Sequence, residues 1–218
     1  MDITIASPSR GRPDSLRRAF DSFRLKESGK HNVEYLVGLD ADDPALSEYY
    51  RALYGFNVKY IVEPRVSTSL NVNNLIACSK GYVIGTPMDD SVMDTEGWDE
   101  IIAQTFSSPL VGIGSALCEI HFITRWLYDL VGYFLHPEIE HYYNVNLILQ
   151  VATDAGVIVQ LPLDGRHLHV DDELAKYHAR DRHKYIHQDS ARFARTGDER
   201  LELTERVRKY KEEYEQRG

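Results

Sequence analysis

The sequence predicts an α/β domain: a mostly parallel central sheet with helices on both faces, plus a helical C-terminal extension. Short β-prone runs alternate with segments of helical periodicity along most of the 218 residues. That alternation builds parallel sheets through crossover helices. Polar and charged clusters stand where the strands end, rather than scattered along the chain. The length suits one sizeable domain, or one domain with an appendage. The expected division is residues 1–170 for the sheet domain and 171–218 for the extension.

Ile3-Thr4-Ile5-Ala6 reads as the first strand and Ser7 to Pro13 as a polar loop. Leu16, Ala19, Phe20 and Phe23 then recur at helical spacing, and Pro13 and Asp14 suit the first turn of that helix. Val33 to Leu39 is a second strand, ending in Asp40, Asp42 and Asp43, and Pro44 opens a helix through Tyr54. Val58 to Val62 is a third strand. Ser67-Thr68-Ser69 caps a helix with the face Val72, Leu75, Ile76 and Ser79. Its early turns hold Asn71, Asn73 and Asn74. Asparagine is a poor helix former, so these residues bond either a ligand or the neighbouring loops.

Tyr82-Val83-Ile84 is a short buried strand that breaks at Gly85 and Pro87 and runs into Asp89-Asp90. Two adjacent carboxylates at the carboxyl edge of an open α/β sheet lie where such sheets bind ligands. Their mutual repulsion calls for a cation, and hard oxygen ligands suit Mg²⁺ or Mn²⁺; the other reading is an acidic surface turn. Arg10 and Arg12, on the loop after the first strand, reach the same edge. Arginines there grip phosphate in a bidentate manner or are simply solvated.

Trp98, Ile101, Ile102 and Thr105 mark the next helix face, and Leu110 to Ile113 a further strand. Arg125 to Tyr133 is an apolar, aromatic helix. Val145, Ile148, Leu149 and Ala152 form another helix, with Gly156 as its stop. Val157 to Leu161 is the last strand, followed by Asp164-Gly165-Arg166-His167-Leu168-His169. The chain closes in a charged helix with a Leu203, Val207, Tyr210, Tyr214 stripe. Glu202/Arg206 and Glu205/Lys209 are spaced as i, i+4 pairs on it, and it packs on the body or on a partner.

The net charge of −9 argues against a general nucleic-acid binder. Lys176 to Arg217 nevertheless carries 12 Lys and Arg against 9 Asp and Glu, so the acidity lies in the main body. Cys78 and Cys118 lack metal spacing and sit in apolar segments, which reads as reduced core thiols. No apolar run reaches membrane-spanning length, so no transmembrane segment is expected. The N-terminus enters a strand directly with no signal-peptide pattern, and the expected compartment is the cytoplasm.

The motifs PSRGRP, LDADD, LNVNNLIACSKGYVIG leading into MDDSV, then GWDEII, EHYYNVNLI and HLH follow in that order over roughly residues 2–170. Together they resemble nucleotide-sugar glycosyltransferases of the GT-A fold, close to the large family 2 group with its bacterial and phage members. The resemblance implies a metal-dependent transfer of a sugar from a nucleotide diphosphate sugar, a UDP-sugar in the commonest case, to an acceptor hydroxyl. It places Pro8, Ser9, Arg10 and Arg12 in the nucleotide pocket and Asp40 on the base, typically uracil. Asn71 and Asn74 line the same donor site. Asp89 and Asp90 become the aspartate motif that holds Mn²⁺ or Mg²⁺, with Asp90 coordinating directly and Asp89 on ribose or a bridging water. Met88 stands where many members carry Asp or Gly. His167 or His169 supplies a late metal or phosphate contact, and an HxH after a terminal strand puts both rings on one face. The metal and arginines offset charge on the leaving phosphate. An inverting enzyme also needs a carboxylate base. Glu140 is the candidate and His141 the runner-up, because relatives have Asp where this chain has Asn144 or Asn146. A retaining reaction needs no such base.

Three other functions compete. A nucleotidyltransferase of the same fold would carry a Gly-rich basic loop, and SPSRGRP has one glycine. A non-enzymatic nucleotide-sugar-binding or scaffold protein would explain the weak base region. A phage-type DNA glycosyltransferase acting on a modified base would use the basic tail (His178, Arg180, Arg182, His183, Lys184, His187, Arg192, Arg195) along a phosphate backbone; otherwise that tail is a solvated helical appendage. The acceptor, saccharide or modified base, is read by loops around residues 115–145. Phe122, Trp126, Tyr133, Phe134, Tyr142 and Tyr143 there either stack on it or belong to the core.

Overall fold

A computed structural model describes residues 1–116, 120–140, 142–167 and 186–217. The strands are β1 (Asp2–Ser9), β2 (Asn32–Asp40), β3 (Val58–Glu63), β4 (Val83–Gly85), β5 (Ser91–Met93), β6 (Ile113–Ser115), β7 (His121–Thr124), β8 (Ile158–Gln160) and β9 (Gly165–His167). The helices are α1 (Pro13–Leu25), α2 (Leu46–Ala52), α3 (Thr68–Cys78), α4 (Trp98–Thr105), α5 (Arg125–Val131), α6 (Asn146–Asp154), α7 (186–193) and α8 (Gly197–Glu215). Seven strands form the main sheet in the order β3-β2-β1-β4-β7-β6-β8. Among the described strands of this sheet, β7 runs antiparallel to both its neighbours and the rest run parallel to one another. β5 and β9 pair antiparallel as a separate ribbon. Among the described residues no helix is long and apolar enough to cross a membrane.

Strand alternation separates two cores. Ile3, Ile5, Tyr35, Val37 and Leu39 point to one face, where they meet Leu16, Phe20 and Phe23 of α1 and Trp98 of α4. Ala6 and Leu36 point to the other, with α3, α5 and α6. This is the two-residue period of a strand buried on both sides. α1 has the predicted proline in its first turn, and its predicted face is wholly buried. Ser67 caps α3 by accepting from the Leu70 N–H. Gly156 follows α6 at φ +66°, the left-handed geometry of a helix stop.

Several elements depart from expectation. β1 is longer, so Pro8 and Ser9 end the strand rather than sit in the loop. α2 begins at Leu46, because the Asp40–Ala45 segment is spent in turns closed by Asp43. The strand expected at 110–113 lies at Ile113–Ser115, and β7, four residues long, had too few positions to show a period. Cys78 is free but exposed rather than core, because it ends α3 off the buried face of Val72, Leu75 and Ile76; Cys118 lies outside the described residues. The terminal helix α8 packs on the body. Leu203 and Val207 join the second core, and Tyr210 stacks on Trp126 at 4.8 Å. Glu202 pairs with Arg206 as expected, whereas Glu205 takes Arg208 in place of Lys209.

Candidate functional site

Parallel pairing brings the ends of β1 and β2 level: Pro8 opposes Gly38 and Ser9 opposes Leu39, one residue before Asp40. Their exits are laced together. Gly11 N–H donates to Asp43 Oδ2 at 2.7 Å, and Ala45 N–H to Asp43 Oδ1 at 2.9 Å. Asp43, a buried residue, is therefore a loop brace. Arg10 bridges Asp40 at 2.8 Å and Asp42 at 2.6 Å through one nitrogen. Tyr49 of α2, fully buried, receives the Arg12 backbone N–H at 2.9 Å and lies 2.7 Å from Ser9 Oγ. Ser9 spends its own proton on Asp89, so Tyr49 donates to it. Burial pushes the Tyr49 phenol up to about 12, which keeps that proton in place.

The two aspartates differ sharply in surroundings. Asp89 is 0% exposed. Its Oδ2 accepts from Ser9 Oγ at 2.6 Å, and its Oδ1 is ion-paired with Arg12 Nη2. Burial raises its pKa to about 6, against the opposing pull of Arg12 and Ser9 and with help from the neighbouring Asp90 charge. Asp90 is partly exposed. Burial works upward on it too, but His167 and Arg12 outweigh that and hold it below the ordinary carboxylate value. His167 Nδ1 lies 3.4 Å from Asp90 Oδ1, and Arg12 Nη1 lies 3.9 Å from Asp90 Oδ2. The β5–β9 ribbon makes this meeting possible, because it sets Ser91 opposite His167. A tight turn fixes the pair from the other side: Ser91 N–H donates to Met88 O at 3.0 Å, and Met88 N–H to Ser91 Oγ at 3.1 Å.

The three asparagines of α3 divide. Asn73 is buried and structural: it accepts from the N–H groups of Phe134 and Leu135 and donates to Leu135 O. Asn74 donates to Glu63 at the end of β3, at 2.7 Å. Asn71 lies against Gly38 so closely that a Cβ there would fall 1.9 Å from its Oδ1. Glycine at 38 is thus what lets α3 bring Asn71 to the sheet edge beside Asp40.

Glu140 lies on a loop tied to the same helix end, since Ser69 Oγ donates to Ile139 O. Its carboxylate takes Arg192 of α7 at 2.9 Å. Asp189, wholly buried, accepts from the backbone N–H groups of Tyr142 at 2.9 Å and Glu140 at 3.3 Å. Asp189 and Tyr49 escaped the sequence reading, which took Arg192 for part of a basic tail along a phosphate backbone, whereas the structure pairs it with Glu140. Nothing in the local pattern of the charged C-terminal segment sets Asp189 apart from its solvated neighbours. His141, His169, His178, Arg180, Arg182, His183 and Lys184 lie outside the described residues. Of the aromatics, Phe122 and Phe134 are core. Trp126 stacks on Tyr210 and Tyr133 donates to Glu199. Tyr143, at φ +62°, stacks on Phe193.

Asp89, Asp90 and His167 offer two carboxylates and an imidazole around one turn. Among the described residues no three His, Cys, Asp or Glu are already arranged as a cage for a metal ion. Such a partial set fits Mn²⁺ or Mg²⁺, which commonly take one or two carboxylates and complete their shell with water and substrate phosphate.

No family model matches the chain, and no curated protein sequence matches it. Solved structures do resemble it. A mannosyltransferase from Pyrobaculum calidifontis in complex with GDP-Man and Mn²⁺ has a TM-score of 0.58 at 10% identity, over 73% of this chain and 53% of that one. S. aureus TarS 1-349 in complex with UDP-GlcNAc has a TM-score of 0.59 at 12% identity, over 74% of this chain and 56% of that one. The chain therefore spans a little over half the length of these proteins, and what it shares with them at such identity is the fold.

Proposed function

We propose that this chain, which has the GT-A glycosyltransferase fold, transfers a sugar from a nucleotide diphosphate sugar to an acceptor hydroxyl with the help of Mn²⁺ or Mg²⁺. The observation that carries the reading is the convergence of Arg12, Asp89, Asp90 and His167 where β1, β4 and the β5–β9 ribbon meet. Pro8, Ser9, Asp40 and Asn71 lie at the strand ends beside it and would hold base and ribose. Asn74, one turn further along α3, would keep Asn71 in place through Glu63. Arg10 and Arg12 would exchange their carboxylate partners for diphosphate oxygens. The metal, held by Asp90 with Asp89 and His167, would neutralise charge on the leaving phosphate. Glu140 would deprotonate the acceptor, its carboxylate oriented by Arg192. Calorimetric titration of UDP and of GDP, with and without Mn²⁺, tests the donor site. Tight metal-dependent binding of either is expected, and binding of neither would sink the proposal.

Two further outcomes follow. Glu140→Gln should leave Mn²⁺-dependent nucleotide binding intact and cut transfer roughly 10²- to 10⁴-fold; unchanged transfer would remove Glu140 as base and leave His141 as the base or a retaining reaction. The second is a pH dependence. Asp89 is neutral below about 6 and charged above it, and a cation competes with that proton. Affinity for UDP-GlcNAc with Mn²⁺ should thus fall about tenfold for each pH unit below 6 and stay level above 7. The diphosphate diester has no ionisation in this range, so a flat profile would show that Asp89 does not face the metal.

A further inference from the structure

A cation is already seated between the two aspartates. Arg12 is ion-paired with Asp89 and reaches within 3.9 Å of Asp90, so a divalent ion arriving at Asp90 meets a resident positive charge. Asp89 has no solvent exposure with which to hydrate its charge, which makes Arg12 its principal counter-ion alongside the Ser9 hydroxyl. The guanidinium is nevertheless not saturated: among the described residues its Nε–H is buried without a hydrogen-bond partner. Nor does the side chain hold the loop in place, because the Arg12 backbone N–H makes the bond to Tyr49. The guanidinium can therefore leave Asp89 while the loop stays where it is.

We propose that Arg12 is an exchangeable counter-ion, occupying the metal-binding carboxylates in the free protein and moving to the diphosphate when the nucleotide arrives, so that metal and nucleotide bind as a coupled pair and neither binds well alone. The inference rests on the donor-site reading above and assigns Arg12 a second role within it. The logic is electrostatic. Metal alone sets two cations against each other beside a buried carboxylate. Diphosphate alone draws Arg12 away and leaves that carboxylate uncompensated. Together they exchange partners with charge balanced at each position. Coupling of this kind is reciprocal: UDP raises Mn²⁺ affinity by the factor that Mn²⁺ raises UDP affinity.

The test is Mn²⁺ titration at pH 8, followed by the electron paramagnetic resonance of the free ion, with and without UDP and corrected for the UDP–Mn²⁺ complex in solution. The proteins are wild type, Arg12→Met and Arg12→Gln, each first shown to be folded by urea unfolding, because both substitutions remove the counter-ion of a buried carboxylate. Both neutral variants should bind Mn²⁺ alone at least tenfold more tightly than wild type, and the UDP–Mn²⁺ coupling factor should drop at least tenfold. Arg12→Lys should stay near wild type for Mn²⁺ alone. The gain should vanish when Asp90→Ala is added, and a gain that survives it belongs to another site and overturns the proposal. Wild type showing Mn²⁺-dependent UDP or GDP binding, with neutral variants no tighter for Mn²⁺ alone, also overturns it while leaving the donor site standing. Absence of metal-dependent binding of either nucleotide to wild type removes the donor-site reading itself, and this inference with it.

Discussion

Asp90→Ala should abolish metal-dependent nucleotide binding, with affinity falling at least about 100-fold, or roughly 2.7 kcal/mol, while the fold survives. The argument rests on how lightly Asp90 is held. Among the described residues its charged partners are His167 at 3.4 Å and Arg12 at 3.9 Å, both long contacts, and its side chain retains 19% exposure. Among the described residues truncation leaves His167 with Ser91 and Arg12 with Asp89, so stability should change by less than about 1 kcal/mol. Asp89 is the contrasting case. It is ion-paired and fully buried, and removing one member of a buried pair typically costs about 3–5 kcal/mol. Asp89→Ala should therefore lose both binding and fold. Urea unfolding beside calorimetry separates the two positions. An Asp90→Ala protein that unfolds early, or one that binds Mn²⁺–UDP as wild type does, would show that Asp90 is not the exposed metal ligand.

Asn73→Ala should be among the most destabilising single substitutions in α3, at about 3–5 kcal/mol. The side chain satisfies three backbone groups of the segment after α5: Phe134 N–H at 2.9 Å, Leu135 N–H at 3.1 Å and Leu135 O at 2.7 Å. Each buried polar group left unmet costs about 1–3 kcal/mol, and partial access of water keeps the total below the simple sum. For a chain of this size that is a fall in Tm on the order of 10 °C. Asn71→Ala, two residues away and bonded to no such segment, should stay within about 1 kcal/mol and instead weaken nucleotide binding. Thermal and urea unfolding of the two variants side by side decide the matter; equal losses would refute the division of labour along this helix. The consequence reaches function, because the segment Asn73 clamps runs on to Glu140.

The same three asparagines show where sequence reading works and where it stops. Their crowding in a helix start signalled that something bonds them. Only position relative to Gly38, Glu63 and Leu135 separates a strand-edge contact, a loop tie and a core clamp. The strands β1, β2, β3 and β4 were legible because each is a compact β-prone run followed by a polar exit. α1 and α3 were legible because their apolar residues recur every three or four positions. β6 was misplaced and β7 missed, since a three- or four-residue strand shows too few positions for any period to emerge. Cys78 looked like core for a related reason: an apolar neighbourhood in sequence says nothing about which side of a helix the thiol takes.

The chain order of strand, polar exit and helix was enough to place Arg10, Arg12, Asp40, Asp89 and Asp90 along one sheet edge, because parallel strands all end on the same side. Pairing among those residues was another matter. Asp90 meets His167 across 77 positions and Arg192 meets Glu140 across 52. No local periodicity carries contacts of that separation. They arise from a two-stranded ribbon closing over the turn at Met88–Ser91, and from a C-terminal helix folding back so that buried Asp189 captures the N–H groups beside Glu140. Hydrophobic patterning is a property of neighbouring residues and survives in the linear chain. The partner of a charged side chain depends on which surfaces the packed core leaves facing each other, and so comes into being only with the fold.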